Sequence, residues 1–229
     1  MLVFNIMANW FEKLYCLDII IPYILIFGII AYRIFLMEIF KYKKEKLYLK
    51  ELQQHRNAWI TRYAMGKDPM VIVQTFRNNI MIASLMASTA IILNVGCLHL
   101  LFSPKFGQIP LDNMFFLGSF EPLLRIVKIM SLIITLSYSF FHFTWYIRAV
   151  HHMTIIFNVT KEDIKKITNK DPVEFLSRML LRSGFHFSGG MRGYYLLIPL
   201  FLWLFHPLLM LIAFFCIIFF LIKRDFGIH

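Results

Sequence analysis

IMIASLMASTAIILNVGCLHLL, residues 80 to 101, decides the fold class. It contains no Asp, Glu, Lys or Arg. At roughly 1.5 Å per helical residue it is long enough to cross a hydrocarbon core of about 30 Å. Three further apolar stretches reach a similar length, at about Ile19 to Ile39, Ile129 to Phe157 and Tyr194 to Ile222. Composition agrees with them. Of 229 residues, 59% are hydrophobic and only 16% charged, with 25 Phe and 13 Met, which exceeds the apolar share of a soluble domain. The expected architecture is an all-α integral membrane four-helix bundle. It forms one domain over residues 1–229, with helices at about 19–39, 80–101, 129–157 and 194–222.

The stretch before the first segment holds Asn9, Trp10, Glu12, Lys13 and Asp18. It lacks the basic start and small-residue cleavage site of a secretory signal, so the segment is expected to be retained. Cys16, Cys97 and Cys216 are scattered, without the spacing of a metal site or a redox motif. Neither a bound metal nor a disulfide framework is expected.

The formal charge of +11 raises nucleic acid as a partner, and its distribution argues against one. Lys41, Lys43, Lys44, Lys46, Lys50, Arg56, Arg62 and Lys67 separate the first two segments. Lys161, Lys165, Lys166, Lys170, Arg178, Arg182 and Arg192 separate the last two. Under the positive-inside rule loops 41–69 and 158–193 are cytoplasmic, and both termini face outward with the connection from Phe102 to Pro122. Basic loops beside membrane helices report topology and anionic headgroups. The expected address is a bacterial inner membrane, and an organelle of bacterial descent would show the same loops.

Two repeated patterns mark helix starts. KDP at 67–69 and NKDP at 169–172 each place an N-capping Asp before a Pro suited to the first helical position. The helix from Pro69 should run on through the second segment as a cytoplasmic extension. The one from Pro172, with Gly184 as its stop, reads as a short interfacial amphipathic helix. Asn79, Ala83, Ala87, Ala90 and Asn94 share one face of the second segment, with Ser84 and Ser88 a second small pair. Such faces let another helix approach closely. Pro199 and Pro207 predict a bend in the fourth segment.

Counting depth from the outer ends, all four helices place polar residues near the cytoplasmic boundary. Segment three reaches it at Arg148, segment two at Arg77, Asn78 and Asn79, segment one at Glu38, and segment four starts beside Arg192. Two readings stand. In the first, Arg148 snorkels or pairs with Glu38 while His151 and His152 are interfacial. In the second, Arg77, Asn78, Asn79, Arg148, His151 and His152 form a site for a small solute or a lipid phosphate. His142 and His206 lie about 20 and 24 Å from the outer ends of their helices. They are nearly level, which raises an alternative in which they ligate haem b axially; the leading reading has no cofactor.

HExxH, GxSxG, a P-loop and paired intramembrane carboxylates are all absent, so no enzymatic activity is expected. The run SGFHFSGGMRGYY, Ser183 to Tyr195, reads either as glycines that let the chain turn into the membrane or as a backbone anion nest around Arg192.

Trp59, QTFRNNIMIASLMAS at 74–88, FHFTWYIRAVHH at 141–152 and RGYYLLIPLFLWLFHP at 192–207 together resemble the four-helix membrane proteins grouped as domain of unknown function 599. The resemblance covers most of the chain after Gln54. It implies a multi-pass membrane protein and brings no activity with it. The expected function is therefore a homo-oligomeric channel or transporter for a small, anionic solute. The alternative is a non-catalytic subunit or assembly factor of a larger membrane complex, docking through the apolar loop MFFLGSF, Met114 to Phe120.

Overall fold

A computed structural model describes residues 48–64, 69–103 and 122–225. Those residues form helices and no strand: α1 (Tyr48–Ala64), α2 (Pro69–Phe102), α3 (Pro122–Ile156), α4 (Lys161–Thr168), α5 (Pro172–Trp203) and α6 (Pro207–Asp225). The expected first segment, Glu38 and the Met114–Phe120 loop lie outside the described residues.

Pro69 opens α2, which continues unbroken through the second apolar segment for 34 residues, as the KDP pattern predicts. α3 starts at Pro122 rather than near Ile129, again with proline where no backbone donor is needed. Met70–Phe102 and Leu123–Ile156 are each long and apolar enough to cross a membrane. Only one stripe of α2 is covered, through Ile72, Phe76, Ala83, Ala87 and Ala90. Met81, Leu85 and Ile92 on its other sides are more than 60% exposed.

The polar stretch after α3 contains a helix that hydropathy does not reveal. Thr160 caps α4 by accepting from the Asp163 N–H, and its hydroxyl donates to the Asp163 carboxylate at 2.6 Å. Asn169 ends it in the left-handed conformation, φ 51°, donating its N–H to Lys165 O. Ile164 is buried beneath it. The sequence signal is TKED at 160–163, an N-cap followed by acids in the first turn.

α5 corrects two expectations. It does not stop at Gly184 as a short interfacial helix, and the glycines after it make no turn: one helix of 32 residues runs from Pro172 to Trp203. Each interior glycine costs about 1 kcal/mol of helix propensity, and close packing offsets that cost. A Cβ on Gly189 would stand 2.5 Å from His142 Cε1, one on Gly190 would stand 2.8 Å from the Phe143 ring, and one on Gly193 would collide with the Ser139 hydroxyl. The glycines are the face on which α3 rests.

Residues 194–222 also do not make one bent helix. Pro199 sits inside α5 without breaking it, whereas the chain leaves the helix after Trp203 and starts α6 at Pro207. His206 makes the difference. Its Nδ1 accepts the Leu208 N–H at 3.0 Å, the arrangement of an N-cap before a first-turn proline.

By packing, the chain forms two compact units. One comprises residues 48–93 and 136–194. Its core is Ile72, Phe76, Ala83, Tyr146, Val150 and Met153, with Trp59, Phe157 and Phe187 against it. The other takes in, among the described residues, 94–103, 122–135 and 195–225. There Trp203, Met210 and Phe214 pack with Leu196, Leu200 and Ile218, and the buried Lys128 ammonium stands 5.4 Å from the centre of the Trp203 ring.

Candidate functional site

A polar hollow in the unit of residues 48–93 and 136–194 lies where α1 docks. Trp59 supplies the anchor. Its ring meets Phe76 edge-on at 6.0 Å and Phe157 at 6.5 Å, and those two rings touch each other at 5.3 Å. Next to it, Ile60 is fully buried. On the neighbouring side the Ser177 hydroxyl of α5 donates to the Asn57 side-chain carbonyl. Tyr194, further along α5, donates to Met86 O of α2. With i, i+3 and i+4 on one helix face, docking through Trp59 and Ile60 necessarily turns Arg56 inward as well.

Arg56 finds a cavity of about 380 Å³ lined by His55, Arg56 and Trp59 of α1, Thr75, Phe76 and Asn79 of α2, Tyr146 of α3, and Leu180, Ser183 and Gly184 of α5. Among the described residues, no carboxylate lines it. Gly184 makes room for the arginine: a Cβ there would stand 3.2 Å from both terminal guanidinium nitrogens. On α5, Arg178 pairs with Glu174 at 2.8 Å, exposed on the helix surface. A half-buried guanidinium beside an amide and hydroxyls has the chemistry to hold an anion, because arginine stays protonated and offers only donors.

Of the six residues expected from sequence to form a site, the structure brings one to this cavity, Asn79. Arg77, Asn78, Arg148, His151 and His152 are exposed and do not line it. The rings of His151 and His152 lie 6.4 Å apart on α3. The expected layer of six therefore does not share this cavity. His55 and Arg56 escape a reading by charge, which sees HRNAW at 55–59 only as part of a basic loop; the recoverable signal is the helical spacing of Arg56, Trp59 and Ile60.

His142 lies elsewhere in the same unit, in an aromatic hollow of about 330 Å³ with Tyr138, Phe141, Trp145 and His186. Its Nδ1 is 3.2 Å from His186 O, and its ring centre is 4.4 Å from that of Tyr138. His206 belongs to the other unit, where it caps α6. Each of these imidazoles thus has one nitrogen engaged by backbone. Among the described residues no group of three or more His, Cys, Asp or Glu converges on a point where a metal ion could be held.

No curated protein and no solved structure matches the chain. A family model does, over residues 20–229, a span that includes every helix described above. The chain belongs to the family described as Protein of unknown function, DUF599.

Proposed function

We propose that this chain is a multi-pass membrane protein, built on a four-helix membrane bundle, that binds a small oxyanion beneath α1 as the cytoplasmic entrance of a channel or carrier. The observation that carries the reading is Arg56 in a cavity whose described lining holds an amide and hydroxyls and no carboxylate. Two further features support it. The apolar, uncovered faces of α2 and α3 suit lipid, and α1 belongs to a strongly basic loop, which the positive-inside rule assigns to the cytoplasm. The reading uses no cofactor.

Flux of radiolabelled phosphate into vesicles reconstituted with the full chain tests it. The expected result is uptake above that of protein-free vesicles, abolished in Arg56→Gln while the variant keeps its thermal unfolding profile. Absence of uptake, with stoichiometric partners retained from the native membrane, would overturn transport in favour of a non-catalytic subunit.

A further inference from the structure

The two hydroxyls in the cavity wall that belong to Thr75 and Ser183 restrict which anion fits. Thr75 Oγ1 donates to Val71 O at 2.8 Å and Ser183 Oγ donates to Leu180 O at 2.8 Å. A hydroxyl has one proton and two lone pairs. With each proton held by its own helix, both oxygens present acceptors to the cavity that Arg56 makes attractive to anions. Ser183 is 1% exposed and Thr75 partly exposed, so Thr75 is the acceptor a ligand meets first and Ser183 lies behind it in the wall. A fully ionised oxyanion in this space would satisfy Arg56 and press its own lone pairs against those of Thr75 and Ser183. An oxyanion that brings a donor satisfies both sides.

Resting on the anion reading above, we infer that the cavity selects phosphoryl oxyanions that carry a hydrogen-bond donor of their own. Hydrogen phosphate has one in its remaining P–OH. A phospholipid headgroup has one where the phosphodiester bears an ammonium N–H. Sulfate, with the same tetrahedral shape but no proton at neutral pH, and phosphocholine, whose quaternary nitrogen has no N–H, both lack it. The planar fork of Arg56 holds two oxyanion oxygens, and the ligand's donor points across the cavity to Thr75 and Ser183.

The test is a pair of matched comparisons on the purified full chain at pH 7: inorganic phosphate against sulfate by equilibrium binding, and phosphatidylethanolamine against phosphatidylcholine in reconstituted vesicles. The donor-bearing member of at least one pair should bind about tenfold tighter or more, the scale of a hydrogen bond to a charged group set against an unpaired acceptor. Discrimination within the inorganic pair assigns a free anion, and within the lipid pair a headgroup. Thr75→Val, which keeps the shape and removes the oxygen, should reduce that ratio severalfold while Arg56-dependent binding persists. The Thr75→Val/Ser183→Ala double variant should bring it to about one. Binding that disappears in Arg56→Gln but shows no preference within either pair would overturn the donor requirement and leave the anion site standing. Absence of any Arg56-dependent binding would overturn both.

Discussion

Replacing Gly189 by Ala in α5 should destabilise the protein, and should do so only while His142 is present. An added Cβ meets the imidazole at 2.5 Å from Cε1, about 1 Å inside ordinary carbon contact. The ring has little freedom to yield, since its Nδ1 is 3.2 Å from His186 O and its centre 4.4 Å from that of Tyr138. Overpacking of this kind costs about 2–3 kcal/mol, and exchanging glycine for alanine in a helix returns about 1 kcal/mol. The net loss is about 1–2 kcal/mol, or roughly 2–8 °C in thermal midpoint for a chain of this size. In a His142→Ala background the obstacle is gone. The same substitution should then stabilise by about 1 kcal/mol, through helix propensity and partial filling of the void. Gly96 in α2, where an added Cβ would meet nothing within 4 Å, is the control, and its alanine variant should be neutral or gain up to about 1 kcal/mol. The assay is tryptophan-fluorescence melting in detergent for the four members of the cycle plus Gly96→Ala. Equal effects of Gly189→Ala in both backgrounds would refute the close contact between α3 and α5.

Two further expectations concern α1 and α4. Asn57→Ala leaves the buried Ser177 hydroxyl without its acceptor and should cost about 1–3 kcal/mol, with trypsin cleaving faster after Arg56 and Arg62 as α1 loosens. Thr160→Ala removes the cap of α4 and should cost about 1 kcal/mol, seen as faster amide exchange confined to residues 161–168.

What the sequence reveals and what it conceals separate along one physical line. Length, hydropathy and proline position are one-dimensional, and they locate α2 and most of α3 correctly. Depth along an axis is one-dimensional too, so counting residues finds a polar level. It carries no azimuth. At about 100° per residue, Arg148 lies two residues from both Tyr146 and Val150, roughly 200° around α3 from each, and those two are buried. Arg77 and Asn78 step off the Ile72–Phe76–Ala83 stripe of α2 in the same way, whereas Asn79 returns to it. The small-residue face of Asn79, Ala83, Ala87 and Ala90 holds that information, so phase rather than polarity ranks the candidates. The glycines of α5 mislead for the opposite reason. Glycine weakens a helix in isolation and permits one to be approached closely, and only the presence of His142, Phe143 and Ser139 opposite selects the second effect.

Phase also makes Arg56 a stronger pointer to a ligand than the more conspicuous Arg148. An exposed arginine at a membrane boundary keeps its hydration, and its charge needs no explanation beyond topology. Arg56 gives up part of its hydration on docking, and it does so because Trp59 and Ile60 on the same face bury their rings and branches. Partial burial of a cation is unfavourable unless an opposite charge compensates it. The described residues place none in the cavity wall: the lining offers an imidazole, an amide, three hydroxyls and apolar surface. Gly184, moreover, keeps open the space a side chain would have closed against the guanidinium. A site selected for stability alone would have put a carboxylate there or exchanged the arginine for an apolar residue. On the proposed reading, a charge left for the ligand to compensate lowers the stability of the empty protein and raises the affinity for the anion that completes the site, the trade expected of a binding pocket.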